Sequence, residues 1–222
     1  MRLTYFGHAA FLVEAADGTR IIMDPYLSGA FGGSFAYAPI DEPADLVLAT
    51  HKHDDHGAVD TIPGHPRVCI HPVSETFRGV RITGIPAAHD SEGGRKRGLN
   101  TLIVVDDGQV RLAHLGDLGH ELDLQTRNAL GRVDVLLIPV GGTYTIDARQ
   151  AARVVSSLAP RVVIPMHYKT SRADMPLAPV DDFLGLERAA GRVVARVGAT
   201  SISLDPDTLP ASTEVYVLDH AL

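Results

Sequence analysis

The sequence predicts an α/β (α+β) fold in which sheets pack together and helices lie outside. The first half is strand-rich and the second alternates strands with helical patterns, an order that suits packed sheets flanked by helices. Residues 133–138 and 162–165 are β-branched and nearly all apolar, as strands covered on both faces are. The chain has 222 residues and is 45% hydrophobic, enough for a substantial core. At this size about 70% of the unfolded surface is buried on folding.

The elements follow in order. Arg2-Leu3-Thr4-Tyr5-Phe6 reads as a first strand. Phe11-Leu12-Val13 and Ile21-Ile22-Met23 flank Asp17-Gly18-Thr19 and make a hairpin. Asp45-Leu46-Val47-Leu48-Ala49 is an apolar strand, and Val68-Cys69-Ile70 and residues 80–85 are two more. Leu102-Ile103-Val104-Val105 and Val110-Arg111-Leu112-Ala113 bracket Asp106-Asp107-Gly108-Gln109, a second hairpin. Residues 147–158 carry Ala148, Ala151, Ala152, Val155 and Leu158 as one apolar helical stripe, with Asp147 as N-cap. Residues 181–190 form a helix that starts at Asp181-Asp182 and ends at Gly191. Residues 122–130 form a weaker helix, and a fourth is expected over 54–61. Loops 29–43 and 90–98 are long for connectors, a length that often signals function.

Composition excludes several function classes. A formal net charge of -7 argues against a nucleic-acid or anionic-membrane surface. Cys69 is the single cysteine, so an internal disulfide and a cysteine-based zinc site are excluded. A strand-like segment follows Met1 at once, with no secretory signal and no apolar run of the about 18–20 residues a membrane span needs. Cytoplasm is the expected compartment.

The densest chemistry lies in Thr50-His51-Lys52-His53-Asp54-Asp55-His56. Four metal-competent side chains in so short a run fit two adjacent ions better than one. His51 and His53 can share one ion, while Asp55 and His56 point toward a second. Each ion needs further ligands, and three strand ends offer them: His89 after Ile85-Pro86-Ala87-Ala88, Asp117 after Leu112-Ala113-His114-Leu115-Gly116, and His167 after Val163-Ile164-Pro165-Met166. Asp24 and Asp54 are candidates to hold the ligating rings, and His8 to reach the pocket. Arg95, Lys96, Arg97 and Lys169 are candidates to meet an anionic group, and Tyr144 and Tyr168 to hydrogen-bond a substrate. His114 is a weaker candidate, better read as facing across its strand, and Gly141-Gly142 serves a turn as well as a ligand.

This pattern resembles the metallo-β-lactamase-fold hydrolases, marked by His-x-His-x-Asp-His followed by a histidine, an aspartate and a histidine. The nearer likeness is to the zinc-dependent hydrolases grouped with L-ascorbate-6-phosphate lactonases. Gly7-His8-Ala9-Ala10-Phe11, Asp24-Pro25, His114-Leu115-Gly116-Asp117, Pro139-Val140-Gly141-Gly142 and Pro165-Met166-His167-Tyr168 carry that likeness. The resemblance implies a four-layer αββα sandwich and one hydrolase domain over residues 1–222. It implies His51, His53 and His89 on one metal, Asp55, His56 and His167 on the other, and Asp117 between them. Flavodiiron-type oxidoreductases of this fold carry a glutamate where His53 stands, so hydrolysis fits better than redox chemistry.

The expected cofactors are two divalent metal ions, zinc first, with manganese, iron, cobalt or nickel as alternatives. The expected reaction is attack of a hydroxide held between the ions on an ester, lactone or phosphoester bond of a small metabolite, anionic or not, with Asp55 and Asp117 orienting it. The expected partner is that small molecule, with no nucleic acid and no membrane, and a homo-oligomer is compatible. The alternatives are a nuclease or nucleotide phosphodiesterase on the same fold and a metal-binding sensor without turnover.

Overall fold

The structure, a computed structural model, describes residues 1–222. Two sheets pack face to face. The first contains β1 (Arg2–Gly7), β2 (Ala10–Glu14), β3 (Arg20–Met23), β4 (Leu46–Ala49) and β5 (Arg67–Ile70). The second is built from β6 (Glu75–Phe77), β7 (Val80–Ala88), β8 (Leu99–Asp106), β9 (Arg111–His114), β10 (Val135–Pro139) and β11 (Val162–Met166). Three helices follow the expected patterns: α1 (Leu124–Leu130), α2 (Ala148–Leu158) and α3 (Val180–Ala189). Three late strands, β12 (Val193–Arg196), β13 (Ser201–Ser203) and β14 (Glu214–Val217), complete the sheets. The strand orders are β13-β1-β2-β3-β4-β5 and β12-β14-β11-β10-β9-β8-β7-β6.

Strand alternation builds the layers. Phe11, Val13, Ile21 and Leu48 face Ile103, Val105, Leu137 and Ile164 across the inter-sheet core. The alternate residues of the second sheet, among them Leu102, Val104, Leu136 and Val163, pack under Val154, Val155, Phe183 and Leu184 of the helices. Both expected hairpins form, β2 with β3 and β8 with β9. Asp147 caps α2 in a full capping box with Gln150. Pro179, not Asp181, is the N-cap of α3, and Asp181 and Asp182 lie in its first turn.

The outermost layer over the first sheet is made differently from the helical one. Leu12, Ile22 and Val47 are covered by Tyr26, Phe35, Tyr37, Val59 and Ile62, which come from loops and from short 3-10 turns at Phe31–Gly33 and Val59–Thr61. The helix expected over residues 54–61 does not form. His56 N and Gly57 N both donate to His53 O, at 2.9 and 2.7 Å, and close a tight turn instead. A β-carbon on Gly57 would stand 2.9 Å from Lys52 Cα, so the turn depends on a glycine there. No helix is long and apolar enough to cross a membrane.

Candidate metal centre

Within the second sheet β7, β9 and β11 run in one direction, so their carboxyl ends share an edge. The chain places His89 directly after β7, Asp117 three residues after β9 and His167 directly after β11. From the first sheet β4 runs into Thr50 and the turn that carries His51, His53, Asp55 and His56. Their potential ligand atoms gather in three overlapping groups, each within 4.8 Å: His8, Asp55, His56 and His167; His51, His53 and His89; His51, His56 and Asp117. All are buried except His53, which is exposed.

Asp117 stands at the middle. Its Oδ2 lies 3.0 Å from His89 Nε2 and 3.9 Å from His51 Nε2. Its Oδ1 lies 3.0 Å from His56 Nε2 and 3.3 Å from His167 Nε2. The two oxygens of one carboxylate thus face different pairs of imidazoles. Gly116 makes this approach possible: its φ is +52°, and a β-carbon there would meet Asn100 Oδ1 at 2.4 Å and Thr50 Oγ1 at 2.7 Å. Asn100 Oδ1 accepts Asp117 N at 3.1 Å, which fixes the backbone under the carboxylate.

A buried layer of polar groups orients the rings. Asp24, held at φ +47°, accepts Thr50 N at 2.7 Å, Thr50 Oγ1 at 2.8 Å and His56 Nδ1 at 2.7 Å. Because Thr50 Oγ1 donates to Asp24, it accepts from His51 Nδ1 at 2.9 Å. Both rings therefore carry a proton on Nδ1 and turn Nε2 inward, the nitrogen each would offer to a metal. His8 sits in the turn between β1 and β2, its Nε2 donating to Asp55 Oδ2 at 3.1 Å and its ring 4.0 Å from that of His167. His114 is structural: Nε2 donates to Ala9 O at 2.8 Å and Nδ1 accepts Gly116 N at 3.0 Å.

The residues present fit metal cations. His51 Nε2, His56 Nε2, Asp117 Oδ1 and both nitrogens of His167 are buried without a hydrogen-bond partner. Buried polar atoms are seldom left so. Three buried carboxylates, Asp24, Asp55 and Asp117, stand among these rings, and such charge needs compensation. Burial, followed by His167, pushes His8 down to about 4, and burial, followed by His56, pushes His51 down to about 3. Burial opposes protonation of His56 as well, yet Asp117, Asp55 and Asp24 together raise it well above the usual imidazole range. Desolvation works against the Asp117 carboxylate, but His167 and His56 hold it well below the usual range.

These shifts set the acid response of the metal-free protein. His8 and His51 stay neutral when folded and take up a proton on unfolding below about pH 6.5. Stability is expected to fall by about 1.4 kcal/mol per pH unit for each of them between about pH 6.5 and 4. His56, raised when folded, adds no slope in that window, because both its states are protonated there. Urea unfolding of chelator-treated protein at pH 7, 6 and 5 reads the slope, and a flat profile would contradict the buried neutral state.

The centre opens into a cavity of about 600 Å³ whose lining includes His53, Asp55, His89 and Asp117. Arg97, Lys96 and Tyr144 line it as candidates from the sequence, and Arg97 lies over the Tyr144 ring at 5.3 Å. Three substrate candidates do not reach it, and the first is Arg95, which is exposed outside the lining and paired with Glu92 at 3.3 Å. Tyr168 is buried in the core beneath the helices, because its position directly after His167 turns its side chain inward. Lys169 is tied to Asp174 at 3.2 Å and to Met175 O at 3.1 Å, and so supports a lining segment instead of joining it. Asp54 is exposed on the cavity and holds no ring. Sequence reasoning missed Lys52, Phe31 and Met175 as lining residues, and only the adjacency of Lys52 to the histidines signalled one of them.

Fold and site define a metal-dependent hydrolase built on a pair of packed sheets. The family model described as the beta-lactamase superfamily domain matches residues 2–167, and the chain belongs to that superfamily. Among its relatives is a UPF0173 metal-dependent hydrolase of Pyrococcus furiosus, 36% identical over 198 residues, covering 77% of this chain and 85% of the relative. Another, from Archaeoglobus fulgidus, is 32% identical over 221 residues, covering 86% of this chain and 92% of the relative. The fold is also similar to a crystal structure from Thermotoga maritima, described as a Zn-dependent hydrolase of the metallo-beta-lactamase superfamily. That likeness has a TM-score of 0.79 and 35% identity, and covers 98% of this chain and 97% of that one.

Proposed function

We propose that the 222 residues form one hydrolase domain holding two divalent ions, which cleaves an ester, lactone or phosphoester bond in a small molecule. The observation that carries this reading is the division of Asp117: Oδ2 faces His51 and His89, and Oδ1 faces His56 and His167. With His53 beside the first pair and Asp55 beside the second, each half offers the about three protein ligands a catalytic ion takes. Zinc suits this nitrogen-rich set, and the zinc named for the Thermotoga maritima relative supports the choice. The likeness to the ascorbate-6-phosphate lactonases supports lactones among the candidate bonds.

When bound, such ions supply an activated water and polarise a carbonyl or phosphoryl oxygen. The chain's own residues do the positioning. His8 fixes Asp55 Oδ2 by its hydrogen bond, and Asp24 fixes the ring of His56 and, through Thr50, that of His51. His53, the exposed member, stands where the cavity opens to solvent. A cavity of about 600 Å³ is of the size that small-molecule sites have.

Elemental analysis of the purified protein is expected to give about two ions per chain. Panels of esters, lactones and phosphodiesters should then show one active bond type whose turnover is lost on chelation and restored by added zinc or manganese. One ion per chain would overturn the two-ion centre. Full occupancy with no turnover on any panel would overturn catalysis in favour of a sensor.

A further inference from the structure

The cavity wall beyond the histidines holds a fixed cation. Asp90 follows His89 directly, and its carboxylate gathers the loop that comes next. Oδ1 accepts the backbone N–H of Glu92 and Gly94 at 2.8 and 2.9 Å, and Oδ2 accepts those of Lys96 and Arg97 at 2.9 and 2.8 Å. His89 N donates to Gly98 O at 3.1 Å, so both ends of the loop are tied to the strand that presents His89. From this loop Arg97 donates through Nη2 to Thr143 O at 3.1 Å and lies over Tyr144. The guanidinium is exposed, but its backbone and its plane are both anchored.

The charges of the lining do not cancel. Lys96 is paired with Glu92, and Asp174 with Lys169. Arg97 and Lys52 have no carboxylate within ion-pair distance, and Asp54 is the one free carboxylate set against them. Asp55 and Asp117 are committed to the centre. Divalent ions there make the cavity more positive still.

The same cavity has an apolar part to its lining. Phe31 is 47% exposed on the lining, with φ +54°, a backbone conformation an aromatic residue rarely adopts. This outlier puts an exposed aromatic ring on the wall of the cavity. The segment with Met175 and Pro176 lies alongside, joined to the Phe31 loop where Asp174 N donates to Ser34 O at 2.7 Å.

We infer that the cavity takes a substrate carrying an anionic group, carboxylate or phosphate, to Arg97 and Lys52 and an apolar body to Phe31 and Met175. This rests on the histidine cluster being the reacting centre, but its test is binding and needs no turnover. Calorimetric titrations of the metal-loaded protein use phenylphosphonate, benzoate, inorganic phosphate and neutral benzamide. Both aromatic anions are expected to bind, with benzamide about tenfold or more weaker. Arg97→Gln should weaken both anions by about tenfold and leave benzamide unchanged, with Arg97→Lys between the two. Phe31→Ala should erase the advantage of phenylphosphonate over inorganic phosphate.

Equal anion binding by wild type and Arg97→Gln would overturn the inference, because ions alone would then hold the anion. So would benzamide binding as tightly as benzoate, or Phe31→Ala leaving the phenylphosphonate advantage intact. A response by phenylphosphonate and not benzoate would support a phosphate in the natural substrate, and a response by both would admit a carboxylate. Binding as expected with no turnover on the panels above would strike the catalytic reading and leave this one standing.

Discussion

Replacing Asp117 by alanine is expected to abolish turnover and strip metal while leaving the fold in place. The carboxylate faces four imidazoles, with His56 Nε2 and His89 Nε2 both at 3.0 Å. No other side chain reaches both halves of the cluster in this way. Metal centres of this kind stabilise the transition state by several kcal/mol, and each 1.36 kcal/mol is a factor of ten. A loss of about 10³-fold or more in kcat/KM follows, with metal content falling from about two ions per chain to one or fewer. The strand pairings and the core beneath the helices do not involve Asp117, so far-UV circular dichroism should be preserved. His53→Ala tests the exposed side of the same centre and should also lose metal. Global unfolding of both variants would give the ions a structural role, and wild-type turnover in Asp117→Ala would remove the carboxylate from the chemistry.

The sequence displayed the ligand types because the chemistry concentrates them. Four metal-competent residues in one turn, and three more after strands, are improbable as solvated surface, and the structure brings all seven together with His8. The central strands were legible for a related reason: β10 and β11 are buried on both faces, so nearly every residue is apolar. Where burial is partial the signal fades. β6, β12 and β13 are short edge strands with mixed exposure, and none of them was visible as a pattern. Residues 54–61 carried a helical look that the cluster overrides, since the turn closed on His53 O places Asp55 and His56 inward. The cavity lining was least legible. Phe31 and Met175 come from loops whose positions depend on long-range backbone bonds, among them Asp174 N to Ser34 O at 2.7 Å.

Asp24 touches no substrate, and its removal is nevertheless expected to have the second-largest effect. It is fully buried and accepts three hydrogen bonds, two from Thr50 and one from His56 Nδ1 at 2.7 Å. Asp24→Ala leaves Thr50 N and His56 Nδ1 buried without acceptors, at about 1–3 kcal/mol each. It also forces alanine into φ +47°, which only glycine, asparagine and aspartate adopt readily. Urea unfolding of the metal-free variant should therefore show a loss of about 2–6 kcal/mol. Asp24→Asn separates the two roles. Asparagine tolerates the backbone and keeps one oxygen to accept Thr50 N, so stability should fall less than in the alanine variant. Its amide cannot give His56 Nδ1 the charged acceptor that turns Nε2 inward, so metal affinity should drop about 10–100-fold. Competition against a chelator of known affinity measures that drop. Asparagine binding metal as tightly as wild type would show that the ring of His56 is held by packing alone, and that the buried carboxylate serves the backbone of Thr50 rather than the centre.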